Sequence, residues 1–259
     1  MNEDLAFALG LADLADATSL RRFRATDLHV ETKPDLTPVT EADRAVEEAL
    51  RDRIGAKRAG ESVLGEEFGG DSLDEDSSAR WIVDPIDGTK NYVRGIPVWA
   101  TLIALERDGA LAVGVASAPA LGHRWWGCRG LGAFADGERI RVSEVRRIED
   151  AQVCYGGLGG WRRAGMLDGL LALTRRSWRS RGFGDFWMHM LVAEGSADVA
   201  TEIEVSVWDL AAVKLIVEEA GGQLTDLSGR STASGGSALS TNGLLHEEAL
   251  EVLTATDTA

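Results

Sequence analysis

The sequence predicts an α+β fold of two closely packed lobes, and three features predict it. Two amphipathic helical patterns open the chain, short strand-like runs separated by Asp-Gly turns follow to about residue 145, and strands then alternate with helices to the end. With 259 residues, 44% of them hydrophobic and 27% charged, the chain can bury a large core without disulfides or other staples.

The elements follow in order. Over residues 5–23, Leu5, Leu9, Ala12 and Leu20 fall on or near one helical face, with Asp13 and Asp16 off it. The polar stretch ETKPDLTPVT, with two prolines, separates this helix from a second that opens at Thr40 and carries Ala45, Val46, Ala49, Leu50 and Ile54. A short strand Ser62-Val63-Leu64 ends in acids, and the Gly/Asp/Ser-rich stretch 69–79 reads as a mobile surface loop. RWIVD, VWATLIALE, ALAVGVASA, HRWWGCR and GAFADGERIRV read as strands. Asp108-Gly109 and Asp136-Gly137 are hairpin dipeptides, so an antiparallel meander covered by the two leading helices is expected. Past residue 146, QVCYGG reads as a strand, GMLDGLLALTRR as a helix, and SWRSRGFGD as a strand running into a loop. FWMHMLVAEG is a helix ended by Gly195, and WDLAAVKLIVEEAGG a helix stopped by Gly221-Gly222. QLTD and SALSTNG are strands, with a last helix from His246. The lobes are accordingly expected at 1–145 and 146–259, without internal repeats.

Composition narrows the function. Forty-two acids against twenty-seven bases give a formal charge of −15, which repels a phosphate backbone, so nucleic acid is not expected as a partner. No apolar run approaches the roughly 18 residues of a membrane span. Cys128 and Cys154 lack partners at a metal-binding spacing, and the acidic start MNEDLAFALG has no cleavable signal, so the cytoplasm is the expected compartment.

The most informative segment is WIVDPIDGTKNY. Trp81, Ile82 and Val83 form a buried strand that ends at Asp84, where Pro85 is expected to stop the ladder. Asp87 follows three residues later, and a turn can bring both carboxylates to one side, an unfavourable pairing unless a cation sits between them. Gly88 to Asn91 reads as the start of a helical turn whose free N–H groups can receive a phosphate. Alone, this string is equally a turn. Gly65-Glu66-Glu67 places further acids at a second strand end, though a solvated loop pair reads the same way. Asp209 stands where an acid caps a helix or complements its dipole, and Asp43 where it completes a capping box with Thr40.

Taken together, GEE at 65–67, WIVDPIDGTKNY at 81–92 and VWDLAAVKLIVEEAGG at 207–222 resemble the inositol monophosphatase superfamily of metal-dependent phosphatases, over nearly the whole chain. The resemblance implies an αβαβα layered sandwich. Within the superfamily, TKPDLTPVTEADRAVE, GTKNYVRGIPVWATLIAL, the SAPA segment and GFGDF are most similar to the branch acting on histidinol phosphate. Carried over by residue, the resemblance implies that Glu66, Asp84 and the Ile86 carbonyl bind one Mg2+, and that Asp84, Asp87 and Asp209 bind a second. Glu67 would serve a weaker third ion. Thr89 and Asp43 would orient and deprotonate the attacking water, Lys33 would lie near the site, and Asp87, Gly88 and Thr89 would cradle the phosphate through backbone N–H groups. A homodimer is also implied.

The chemistry agrees with that set. All the proposed ligands are oxygen donors, which favours Mg2+ or Mn2+ over zinc. There is no Cys-x5-Arg loop for a phosphocysteine, so in-line attack by water is the simpler route. For the substrate, Asp185 and Glu202 match family positions that contact the alcohol part, and two acids suit a head group bearing an ammonium and an imidazole. Asp185 also reads as a helix cap, and Asn242 as either a pocket residue or a turn. Trp125 and Trp126 read as core and interface, His189 as a structural histidine, and the cysteines as inert. Alternatives are an inositol monophosphatase, a broad sugar-phosphate or nucleotide phosphatase, or a catalytically silent metal-stabilised interaction protein. The last has no need of the pair Thr89 and Asp43.

Overall fold

The first helix starts where the Asn2 side chain accepts the Asp4 N–H at 2.8 Å, satisfying one of the free donors of the opening turn. Helix α1 (Glu3–Leu20) buries Leu5, Ala8, Leu11, Ala12 and Ala15, but Leu20 is 44% exposed because the helix stops there and not at residue 23. This computed structural model describes residues 2–34, 36–70 and 79–255. The loop read over 69–79 thus falls outside the described residues from 71 to 78. Among the described residues, no helix is long and apolar enough to cross a membrane.

ETKPDLTPVT is more than a linker. Val30–Thr32 (β1) and Pro38–Thr40 (β2) pair antiparallel, with Pro38 at the first position of its strand, where a missing N–H is tolerated. Thr40 then caps helix α2 (Glu41–Lys57) in a full capping box with Asp43.

The first sheet contains β3 (Ser62–Gly65), β4 (Gly69–Gly70), β5 (Ala79–Asp87), β6 (Ala100–Arg107), β7 (Ala110–Ala118), β8 (His123–Cys128), β9 (Gly132–Ala135) and β10 (Glu138–Arg139), with the short helix α3 (Thr89–Val93) between β5 and β6. Its order is β10-β9-β8-β7-β6-β5-β3-β4. From β5 to β10 it is the expected antiparallel meander, and β3 joins β5 in parallel. Both residues of each Asp-Gly turn have positive φ (Asp108 49°, Gly109 73°; Asp136 47°, Gly137 95°), as tight two-residue hairpins require.

Strand β5 does not stop at Pro85, contrary to the sequence expectation. Asp84 faces Leu102 and Asp87 faces Ala100, so the strand carries one extra residue across a bulge. Pro85 sits in that bulge, where its absent N–H breaks no ladder bond, and its carbonyl accepts from Thr101 Oγ1 at 2.8 Å.

The second sheet holds β11 (Gln152–Tyr155), β12 (Arg179–Arg181), β13 (Val199–Ile203), β14 (Gln223–Thr225) and β15 (Ser237–Thr241), in the order β12-β11-β13-β15-β14. Its helices are α4 (Leu158–Arg163), α5 (Leu167–Arg176), α6 (Asp185–Ala193), α7 (Val207–Glu219) and α8 (His246–Thr254). Strand β13 and helix α4 had no sequence signal. VATEI lies between neighbours with both faces covered, so it lacks alternation, and LGGWRR carries two glycines that oppose a helix.

Five layers result. Helices α1 and α2 pack on one face of the first sheet through Leu11, Leu50, Trp81, Val83 and Ile103. Its other face, with Ile82, Leu102 and Trp125, meets α6 and α7 through Phe186, Met190, Ala211 and Ile216. The second sheet lies beyond them, its Cys154 and Ala200 against Met188 and Val192 of α6. Helices α4, α5 and α8 close the stack through Trp161, Leu170 and Leu253. This is the αβαβα sandwich.

Candidate active site

Period-2 alternation turns Trp81 and Val83 toward α1 and α2, and Ile82 and Asp84 toward α7. Asp84 therefore enters the layer between the sheets at the end of β5, and the bulge delivers Asp87 beside it. Helix α7 brings Asp209 in its first turn. Oxygens of Asp84, Asp87 and Asp209 lie within 4.8 Å of one another. One oxygen of each is held by a backbone N–H: Ile86 to Asp84 Oδ1 (2.9 Å), Phe186 to Asp87 Oδ2 (2.7 Å) and Ser206 to Asp209 Oδ2 (2.6 Å). Asp209 thus completes a capping box and joins the cluster at once, so the two sequence readings are compatible.

Burial, followed by mutual repulsion with Glu66 and neighbouring aspartates, pushes Asp84 well above the carboxylate range; burial and then Asp185 and Asp209 do the same to Asp87. Asp209 is raised too, chiefly by burial. Hard oxygen donors held this close, one buried and two half-buried on the cavity wall, fit a divalent cation. The fourth acid, Glu66, lines the same cavity, and its Oε1 lies 2.8 Å from Lys33 Nζ. Lys33, on the turn of the β1–β2 hairpin, also holds Glu67 Oε1 at 2.6 Å. Lys33 therefore clamps the acids of the 65–67 loop and does not line the cavity, and neither does Glu67.

Thr89 Oγ1 lies 3.1 Å from Asp43 Oδ1 and 3.0 Å from the Ile86 carbonyl, both within reach of its one hydroxyl proton. The other Asp43 oxygen accepts from Thr40 N (2.8 Å) and Thr40 Oγ1 (2.5 Å), so Asp43 both caps α2 and reaches Thr89. Burial raises Asp43's affinity for a proton. Gly88, at φ 82°, turns the chain into α3, a conformation that only glycine adopts without strain.

The cavity measures about 230 Å3 and runs from these groups to Lys90, Asp185, His189, Glu202, Glu204 and Val205. Asp185 makes no side-chain cap to α6, against its capping reading; its Oδ2 accepts instead from Asn91 Nδ2 at 2.9 Å. Burial and the charges of Asp185 and Asp209 push Glu202 up to about 8, with Lys90 opposing. Asn242 is a correction: it does not line the cavity. Its amide donates to Ser143 Oγ (3.0 Å) and the Val145 carbonyl (2.8 Å) and accepts from Leu244 N and Leu245 N, which spends it on the turn before α8.

Sequence reasoning missed Glu47, Asn91 and Lys90. Glu47 is fully buried on α2 and accepts Glu67 N (2.7 Å) and Phe68 N (3.2 Å), fixing the loop that carries Glu66. Its signal was available: positions 43, 47, 50 and 54 share one helical face, so an acid sits on the buried stripe. Cys128 and Cys154 are buried with thiols pushed up, as their inert reading expects.

Fold and site together define a class of enzyme built on a layered sandwich, with an acidic cluster that could hold a metal ion. The chain belongs to the inositol monophosphatase family, whose profile matches residues 1–257. It is 54% identical over 259 residues to a histidinol-phosphatase of Mycobacterium tuberculosis, covering 98% of this chain and 99% of that protein. A histidinol-phosphatase of Streptomyces coelicolor is 52% identical over 260 residues, covering 97% of each. Among solved structures, the extragenic suppressor protein suhB of Bartonella henselae superposes with a TM-score of 0.91 at 30% identity, covering 98% of this chain and 99% of that one.

Proposed function

We propose that this chain hydrolyses L-histidinol phosphate to L-histidinol and phosphate, with Mg2+ as its metal and Mn2+ able to replace it. The observation that carries the reading is that one cavity is lined by the Asp84, Asp87 and Asp209 cluster and by two further acids beside it, Asp185 and Glu202. The cluster suits a phosphate only with cations present, and the two further acids suit a cationic amino alcohol. The high identity to two histidinol-phosphatases supports the same substrate.

Glu66, Asp84, the Ile86 carbonyl, Asp87 and Asp209 are the groups that would hold two ions, with Glu67 available for a third. When bound, the ions supply charge neutralisation of the phosphate and of the departing alkoxide, and a more acidic water. Thr89 Oγ1 orients that water and passes its own proton to Asp43 Oδ1 as it takes one from the water. The remaining hydroxide oxygen attacks phosphorus, the P–O bond to histidinol breaks, the leaving alkoxide takes a proton from solvent water, and Asp43 later gives its proton back to solvent. Backbone N–H groups of Asp87, Gly88 and Thr89 orient the phosphate oxygens. Lobes 1–145 and 146–259 each contribute one side of this cavity, and the enzyme is read as a cytoplasmic homodimer.

The test is phosphate release from L-histidinol phosphate, inositol monophosphates, glycerol phosphate and an adenosine bisphosphate at saturating Mg2+. A clear preference in kcat/KM for histidinol phosphate is expected. An equal or better value on an inositol phosphate would transfer the reading to inositol monophosphatase and leave the metal chemistry standing.

A further inference from the structure

Helix α6 carries a second polar group to the cavity one turn after Asp185. His189 is only 1% exposed, and the residue is part of the cavity wall with Asp185, Phe186, Glu202 and Leu210. Nδ1 lies 2.8 Å from Ser240 Oγ, whereas Nε2 is buried with no partner among the described residues. Ser240 stands opposite Ala200 and Ala238 opposite Glu202, so Ser240, Ala200 and Glu202 share the sheet face that α6 covers. The histidine is therefore anchored to the same face that carries the Glu202 carboxylate.

Such an arrangement is more than packing. A buried nitrogen left without a partner is unfavourable, and native interiors rarely tolerate one. A histidine serving structure alone would have both nitrogens satisfied, as His246 does between Thr225 Oγ1 (2.9 Å) and Thr241 Oγ1 (3.0 Å). Burial keeps the His189 ring neutral by holding its pKa down to about 4, so one nitrogen donates and the other accepts. An ammonium or an imidazole N–H of the substrate brings a donor, which the lone pair on Nε2 matches when Nδ1–H is given to Ser240.

We propose that His189 is a specificity-determining residue whose Nε2 accepts a hydrogen bond from an N–H of the amino-alcohol head group, with Ser240 positioning the ring. This rests on the histidinol-phosphate reading and deepens it. Asp185 and Glu202 are the acids that a cationic head group would draw into ionisation, and His189 supplies a directional neutral acceptor on the same wall.

The experiment compares the parent enzyme with His189→Leu, His189→Gln and Ser240→Ala at saturating Mg2+. KM and kcat are measured on L-histidinol phosphate and on glycerol phosphate, which lacks the head group, with melting curves in parallel. His189→Leu should raise KM for histidinol phosphate about 10-fold or more. The loss in kcat/KM should be at least about fivefold greater than on glycerol phosphate. His189→Gln, whose amide oxygen can accept, should recover part of it, and Ser240→Ala should show a smaller change of the same kind. Equal losses on both esters, or an unchanged KM for histidinol phosphate in His189→Leu, would overturn the assignment while the substrate reading stood. A parent enzyme with no preference for histidinol phosphate would instead overturn the substrate reading, and the assignment with it.

Discussion

Asp185 has φ of 50°, a left-handed conformation that asparagine and aspartate tolerate better than other residues with a side chain. Its backbone and its charge are thus separable. Asp185→Asn should keep the fold within about 0.5 kcal/mol, because the amide oxygen can still accept from Asn91, while kcat/KM on histidinol phosphate falls far more than on glycerol phosphate. A melting temperature that dropped together with activity on both esters would make the carboxylate structural. Glu202 permits a second test. Its pKa lies above its ordinary 4.5, at about 8, so the protonated form favours the folded state, and that contribution is full below 4.5 and lost as pH rises through 8. In EDTA, Glu202→Gln should therefore melt increasingly above the parent as pH goes from 5 to 9. Asp185 and Glu202 were legible through the resemblance of GFGDF and the WD helix. His189 was not legible as a site residue, because a polar group on an apolar helix gives the same pattern whether one nitrogen or both are satisfied.

At the scale of elements, the site depends on how closely helices meet strands. A Cβ at Gly65 would lie 2.0 Å from Glu47 Oε1, so β3 ends in glycine to admit the carboxylate that holds the 65–68 loop. Glu47→Ala should weaken Mg2+ or Mn2+ binding about 10- to 100-fold, partly recovered at high metal, since it frees the backbone carrying Glu66 and Glu67 without removing a proposed ligand. Calorimetric titration with Mn2+ would measure it, and unchanged affinity would confine Glu47 to stability. On the other face of the sheet, a Cβ at Gly114 would stand 2.7 Å from the Ala212 carbonyl, and one at Gly127 would stand 3.1 Å from Ile216 Cα. Gly114→Ala should lift α7 from β7 at a cost of about 1 to 3 kcal/mol and lower turnover by moving Asp209. A variant that melted lower at full turnover would show that α7 can shift without disturbing the cluster. The meander and the flanking helices could be read because Asp-Gly turns and amphipathic stripes are local signals. The bulge at Pro85 and strand β13 could not, since each exists through partners distant in sequence, and the β1–β2 hairpin could not because its exposed strand Val30–Thr32 carries no apolar alternation.

Across the whole molecule, opposed ionisations meet between the two sheets. Asp84, Asp87 and Asp209 are raised by burial and by one another, so without metal the cluster retains protons that a divalent cation must displace. Metal affinity should rise with pH, and the heat of Mg2+ binding should differ between buffers of different ionisation enthalpy. On the acid side, burial holds His189 and His246 down to about 4, below their ordinary 6.5, so the neutral rings favour the folded state. That contribution is full above 6.5 and lost as pH falls to 4, a window separate from that of Asp226, which is lowered to about 2 and acts only below its ordinary 3.8. In the metal-free protein the raised acids and the lowered histidines therefore pull stability in opposite directions between about pH 4.5 and 6.5, and above 6.5 only the loss remains, as Glu202 and the cluster ionise. Saturating Mg2+ should flatten the alkaline arm, by mass action and by neutralising the cluster, and leave the acid arm in place. Melting temperatures from pH 4 to 9, with EDTA and with Mg2+, would measure both arms. A metal-free profile flat from pH 6 to 9 would show that the carboxylates are relieved by something other than a cation, and the electrostatic account of the acidic cavity would fall with it.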